Sequence, residues 1–156
     1  MKSLKEILNE GLNEGLFNKK AKYNTPYILI EYNVMPDFSK EGDRLEKIQK
    51  EIKDKCMDIV QMALKDQGIM YTEQDHYNGI STIHQHSFDF RHDMDVSEFE
   101  VLCSEMFNHI QKMVHRNYKK DAHIEITKEF EEYTIWIPFT KGSTDGCFVS
   151  FYIGRD

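Results

Sequence analysis

LEKIQKEIKDKCMDIVQMALKDQG, residues 45–68, decides how the rest of the chain must be read. Leu45, Ile48, Ile52, Cys56, Ile59 and Ala63 recur three or four residues apart, the spacing of one face of an α-helix. Glu46 with Lys50 and Glu51 with Lys55 are acid-before-base pairs at i,i+4, each stabilising a helix by about 0.2–0.5 kcal/mol. Asp43 and Glu46 have capping-box spacing, and Gly68 is placed to end the helix. The spacing predicts a helix over residues 39–67 whose apolar face must be buried against something.

What flanks that helix is strand-like. Residues 25–35 carry Pro26 at their start, where a missing N–H does least harm, and then β-branched and aromatic residues. After the helix come a short strand over 69–72, a turn at Asn78-Gly79 and a longer strand over 80–90. A second helix is predicted over 96–118, opened by Asp95 or Ser97 and turning Phe99, Leu102, Met106, Ile110, Met113 and Val114 inward. Strands follow over 122–127, 133–139 and 147–153, the last two joined through residues 141–146.

The order β-α-β-β-α-β then β-β predicts an α+β fold of the ferredoxin-like, split β-α-β kind. It has an antiparallel sheet with two helices on one face, an N-terminal amphipathic helix and a C-terminal β-hairpin. Omitting the strand over 69–72 gives a simpler mixed sheet as the alternative. In either case one sheet face needs a cover, which the hairpin, the N-terminal segment or a partner can supply.

The chain has 156 residues, 40% of them hydrophobic and 12% aromatic, enough for one domain with its own core. A net charge of −7 opposes the approach of a nucleic-acid backbone. The one basic cluster, residues 115–120, reads as cations at a helix C-terminus. Cys56, Cys103 and Cys147 lie far apart with no C-x-x-C, so small buried hydrophobes in a reducing compartment are expected. No apolar run exceeds Tyr27-Ile28-Leu29-Ile30, and Lys alternates with Glu at the start. These features place the protein, as an expectation, in the cytoplasm or in something assembled there, and off the membrane.

HQHSFDFRHD, residues 84–93, gathers residue types that ligate metals. On a strand, His84 and His86 share a face with Phe88 and Phe90, while Ile83, Gln85, Ser87 and Asp89 take the other. H-x-H on a strand can direct two imidazoles at one zinc ion, which makes His84 and His86 the candidate metal ligands of a small metal-dependent hydrolase. A third ligand is not defined. Asp89 follows His86 by three residues and His92 follows Asp89 by three, a departure from the H-x-H-x-D-H signature of metallo-β-lactamase-like hydrolases.

The two-histidine phosphoesterase pattern also fails. Neither His84-Gln85-His86 nor His123-Ile124-Glu125 has a hydroxyl two places after its first His. The plainer expectation is two partly buried histidines bonded at the edge of the core, with Asp89 and Asp93 solvated. His123, Glu125 and Thr127 form a polar strand face toward water or a partner. There is no G-x-S-x-G, no phosphate loop and no Cys beside a His, so the sequence leans away from catalysis and requires no cofactor.

LNEGLNEG, residues 8–15, is a tandem. Leu4, Ile7, Leu8, Leu12 and Leu16 have helical spacing and form the expected interaction stripe of an amphipathic segment over residues 2–17. Gly11 and Gly15 each cost up to about 1 kcal/mol in a helix interior, so the segment needs a surface to lie on. A polar linker over 18–24 completes the arm, residues 1–24, and residues 25–156 form the single α+β domain.

Leu8-Asn9-Glu10 before Gly11, and Leu12-Asn13-Glu14 before Gly15, follow a start in Met-Lys. This pattern resembles the capsid-targeting leader of proteins packaged into the proheads of T-even-like tailed phages, which docks on the scaffold and is cut after the Glu. The resemblance covers residues 1–15 and implies processing at Glu10/Gly11 or Glu14/Gly15, with capsid or scaffold as partner. The plainer expectation is an arm that packs on its own domain or on another copy of the chain. The reading that follows is a non-enzymatic, protein-binding phage protein, virion-associated or packaged. The alternatives are the hydrolase above and an acidic phage inhibitor of a host defence protein.

Overall fold

The computed structural model describes residues 22–33, 40–76, 83–118, 123–129 and 131–154. The expected N-terminal helix with Leu4, Ile7, Leu8, Leu12 and Leu16, the processing residues Glu10, Gly11, Glu14 and Gly15, and the Asn78-Gly79 turn lie outside these residues. What is described is α+β. In chain order it comprises β1 (Lys22–Tyr23), β2 (Tyr27–Asn33), α1 (Lys40–Asp66), β3 (Tyr71–His76), β4 (Ile83–Phe90), β5 (Met94–Asp95), α2 (Val96–Tyr118), β6 (Glu125–Glu129), β7 (Glu132–Pro138) and β8 (Gly146–Gly154). None of the described helices is long and apolar enough to cross a membrane.

Both helices sit where the apolar periodicity places them. Gly68 adopts φ +68°, the left-handed residue that lets the Gly68 and Ile69 amides turn back onto the Lys65 and Leu64 carbonyls at 3.0 and 2.9 Å. The stripe of α1 differs from expectation at Ile48, which is half-buried beside buried Gln49, and beyond Cys56. Val60 and Leu64 are buried, and Ile59 and Ala63 are only half-buried. Steps of four from Cys56 keep the stripe on the sheet, whereas Ile59 and Ala63 fall on the flank toward α2.

Six strands form one sheet in the order β3-β4-β2-β8-β7-β6, and every neighbouring pair is antiparallel. β1 and β5 form a separate two-stranded pair. Two expectations change here. The strand after α2 does not join the first strand: β6 lies at the far edge, and β8 takes the place beside β2. The C-terminal hairpin β7-β8 likewise extends the sheet and does not cover its open face.

Burial explains the exchange. β8 brings Cys147, Val149 and Phe151 to the core, a central-strand composition, whereas β6 reads EITKE with charges that suit an edge. β3 also runs later than its apolar letters suggest, through Glu73, Gln74 and Asp75, because its ladder to β4 holds it extended.

The helices cover one sheet face. Phe99 meets Phe90 with ring centroids at 5.6 Å, Phe107 meets Phe151 at 5.9 Å, and Lys53 lies 4.7 Å above Tyr32. Between the layers Ile28, Ile30, Phe88, Ile135, Ile137, Val149 and Phe151 are almost fully buried. The β2-β8 ladder stops at Tyr32 and Val149. Next to it the Asn33 side chain bonds to the β8 backbone, donating to the Gly146 carbonyl at 3.1 Å and accepting from the Phe148 amide at 2.9 Å. Buried Gln49 of α1 closes this junction, with its Nε2 2.8 Å from the Asn33 carbonyl and 2.9 Å from the Phe148 carbonyl.

Candidate functional site

The histidines predicted as ligands do project from β4 toward the helices. There they part company. His84 stacks on Tyr32, with ring centroids at 5.3 Å, while His86 is 9% exposed and meets carboxylates at both ring nitrogens. Nδ1 contacts Asp75, and Nε2 lies 3.1 Å from Glu73 Oε1, which also accepts from Gln61 Nε2 at 2.8 Å. A cleft of about 410 Å³ opens here, lined in part by Lys53, Asp54, Asp75, His84 and His86.

The β3-β4 register, Asp75 opposite His86, is what assembles this group, and sequence spacing alone did not contain it. With a carboxylate at each ring nitrogen, no lone pair of His86 is directed into the cleft. A zinc ion on His84 and His86 therefore requires His86 to leave one of its partners. Among the described residues, no group of three or more His, Cys, Asp or Glu has the arrangement to hold a metal ion.

The opposite sheet face carries a second constellation. Cross-strand pairing sets its side chains in rows: Asp89-Tyr27-Gly154, then Ser87-Leu29-Tyr152-Glu132-Glu129, then Gln85-Glu31-Ser150-Thr134-Thr127, and Phe148-Trp136-Glu125. Tyr27, Leu29, Glu31, Trp136, Phe148 and Tyr152 are half-buried, and Glu125, Thr127 and Glu129 are exposed. Asp89, expected to be solvated, is half-buried and accepts from the Ser87 hydroxyl. None of the described strand residues on this face is Lys or Arg.

Hydrogen bonds fix the polar members. Gln85 donates to Glu31 at 2.8 Å, Thr134 donates to Glu132 at 3.2 Å, and the Thr134 and Ser150 hydroxyls are 3.2 Å apart. Burial, the hydrogen bond to Glu132 and the charges of Glu31 and Glu132 push the Tyr152 phenol up to about 12, so it stays protonated.

Ser87, Asp89 and His76 meet on the same face without forming a catalytic triad. The Ser87 hydroxyl donates to Asp89 Oδ2 at 3.1 Å and lies 3.4 Å from His76 Nε2. A triad needs the His between acid and nucleophile. Here the serine occupies the middle, and its proton goes to the carboxylate. The three cysteines are free and buried, with burial raising each thiol above its ordinary range.

Strand alternation assigns each of these residues a face, but only the strand order shows that Tyr27, Trp136, Phe148 and Tyr152 share one surface with the carboxylates. Compared with family models, with curated proteins and with solved structures, the chain finds no match in any of the three.

Proposed function

We propose that this protein acts without catalysis by binding another protein, and that its open sheet face takes a Lys- and Arg-bearing segment of that partner. The carrying observation is the make-up of the face: four aromatic side chains set among Glu31, Asp89, Glu125, Glu129 and Glu132, with no cation from its described strands. Aromatic faces attract ammonium and guanidinium groups by about 0.5–2 kcal/mol, and carboxylates hold Arg through paired charge-assisted bonds. Protein interfaces are enriched in such aromatics. A second copy of the chain is a poor occupant, because a two-fold contact sets these carboxylates against themselves.

Trp136 is the chain's single tryptophan, so its fluorescence reports on this face directly. Titration with a synthetic Arg/Lys-rich peptide is expected to give a saturable change that an acidic peptide of equal length does not. An unresponsive Trp136, or equal responses to both peptides, overturns the proposal.

Within this class we read the protein as phage-encoded and packaged, or virion-associated, its partner a capsid or scaffold protein. The tandem over residues 8–15 supports that reading. Intact mass of the protein from its particle tests it: a start at Gly11 or Gly15 is expected, and an uncut chain inside the particle removes it. The acidic aromatic face equally suits inhibition of a basic host defence protein, in which case no cleavage occurs. For the architecture we infer a split β-α-β core in which β6 and β7 are inserted before the last strand. The order β8-β2-β4-β3, with both helices on one face, supports it. Cross-strand nuclear Overhauser contacts between Tyr27 and Gly154, and between Tyr71 and Phe90, check the order.

A further inference from the structure

The helix layer carries a surface of its own, separate from the sheet face and independent of the proposal above. Two cavities of about 490 and 250 Å³ share Gln67, Leu102 and Glu105, and so form one trough between α1 and α2. Ile59, Ala63, Leu102 and Met106 line it. At its lips Met62 is 65% exposed and Val101 58% exposed, and Met70, beside the lining residue Ile69, is 54% exposed. Two of the four large apolar side chains exposed among the described residues therefore stand on one trough, and a third, Met70, follows its lining residue Ile69 in the chain. Clustered exposure of this kind marks a contact surface, and methionines adapt their shape to a partner's side chains.

The charge around the trough is one-sided. Asp66, Glu98 and Glu105 line it, and no Lys or Arg does. We propose that the trough docks an amphipathic helix of a protein partner. Apolar residues of that helix at i, i+3 or i+4 and i+7 enter between α1 and α2, and Lys or Arg on its edge meets the three carboxylates. An anionic lipid surface is repelled by the same carboxylates, and a second copy docking in two-fold fashion brings acid against acid.

The test uses the full chain labelled at its methionine methyls, with a synthetic amphipathic Leu/Lys helical peptide as probe. Saturable shifts of the Met62, Met94 and Met106 methyl signals are expected, and they persist when Glu31 and Glu132 of the sheet face are both changed to Gln. Val101→Asp, at a position 58% exposed, is expected to weaken binding about tenfold or more with its helical circular dichroism retained. Glu105→Lys is expected to act in the same direction. The proposal is overturned if the methyl signals do not move, if Val101→Asp binds as the parent does, or if a Leu/Glu peptide of the same pattern binds equally. Methyl shifts that appear on concentrating the protein alone, or on adding anionic vesicles, overturn it in favour of those occupants.

Discussion

Tyr152 stands directly across the β7-β8 ladder from Glu132, and its phenol is hydrogen-bonded to that carboxylate. The pair sits at the centre of the open sheet face, with Glu31 of β2 adding a second negative field. The phenol is consequently pushed from 10.0 to about 12. Because the folded value is the higher one, this contribution to stability is complete below about 10 and is lost as pH rises through about 12, where the folded phenol finally ionises. Phenolate absorbance should show Tyr152 titrating late, alongside Tyr71, which burial and then Glu73 also raise, and Glu132→Gln should move the Tyr152 step down while burial keeps part of the shift. Titration of all tyrosines together would contradict the pairing.

The thiols predict a separate alkaline signature. Cys103 is pushed to about 12, by burial first and then Glu100, and Cys147 to about 11, by burial first and then Glu46; burial raises Cys56 further still. Their stabilising contribution is likewise lost toward high pH, since the unfolded thiols ionise from 9.0 upward. A thiol-specific colorimetric reagent should find none reactive in the native protein near neutral pH and three after unfolding. A rapidly labelled native cysteine would refute this.

Two glycines of β8 separate stability from the binding face. A Cβ on Gly146 would lie 2.3 Å from the Ile137 carbonyl oxygen and 2.9 Å from Pro138 Cα, both backbone atoms that cannot swing aside. Gly146→Ala should therefore cost about 1–3 kcal/mol and lower the melting temperature. A Cβ on Gly154 would meet the Tyr27 ring, which can rotate away. Gly154→Ala should melt closer to the parent while weakening binding at the open face. Equal melting of the two variants would contradict the assignment.

Gln49 tests the junction between α1, Asn33 and β8. Its amide serves the Asn33 and Phe148 carbonyls inside the protein, with the residue 5% exposed. Gln49→Leu removes the donor and leaves buried acceptors unmatched, an expected loss of about 1–3 kcal/mol by denaturant unfolding. A variant as stable as the parent would show that the junction holds without it.

Zinc offers a check on the predicted histidine pair. Since His86 faces Asp75 and Glu73 and His84 stacks on Tyr32, adding zinc should leave the melting temperature unchanged. Stoichiometric zinc lost on His84→Ala or His86→Ala would instead restore the hydrolase reading.

The helices were legible because a 3.6-residue period and a stop signal at Gly68 are local properties of the chain. Which strand stands beside β2 is decided by burial across the whole sheet, and no short window of residues 122–153 contains that information. His84 and His86 were visible as a motif, yet their partners Asp75 and Glu73 come from a register set by the β3-β4 ladder. The open face was hidden for the same reason. Tyr27, Trp136, Phe148 and Tyr152 lie up to 125 residues apart, and only strand order joins them.

The most direct measurement of the central claim is the affinity of the full chain for an Arg/Lys-rich peptide, read from Trp136 as ionic strength rises. The account predicts binding that weakens steeply with salt and is at least about tenfold weaker when Glu31 and Glu132 are both changed to Gln. Affinity indifferent to salt and to those two carboxylates would contradict it.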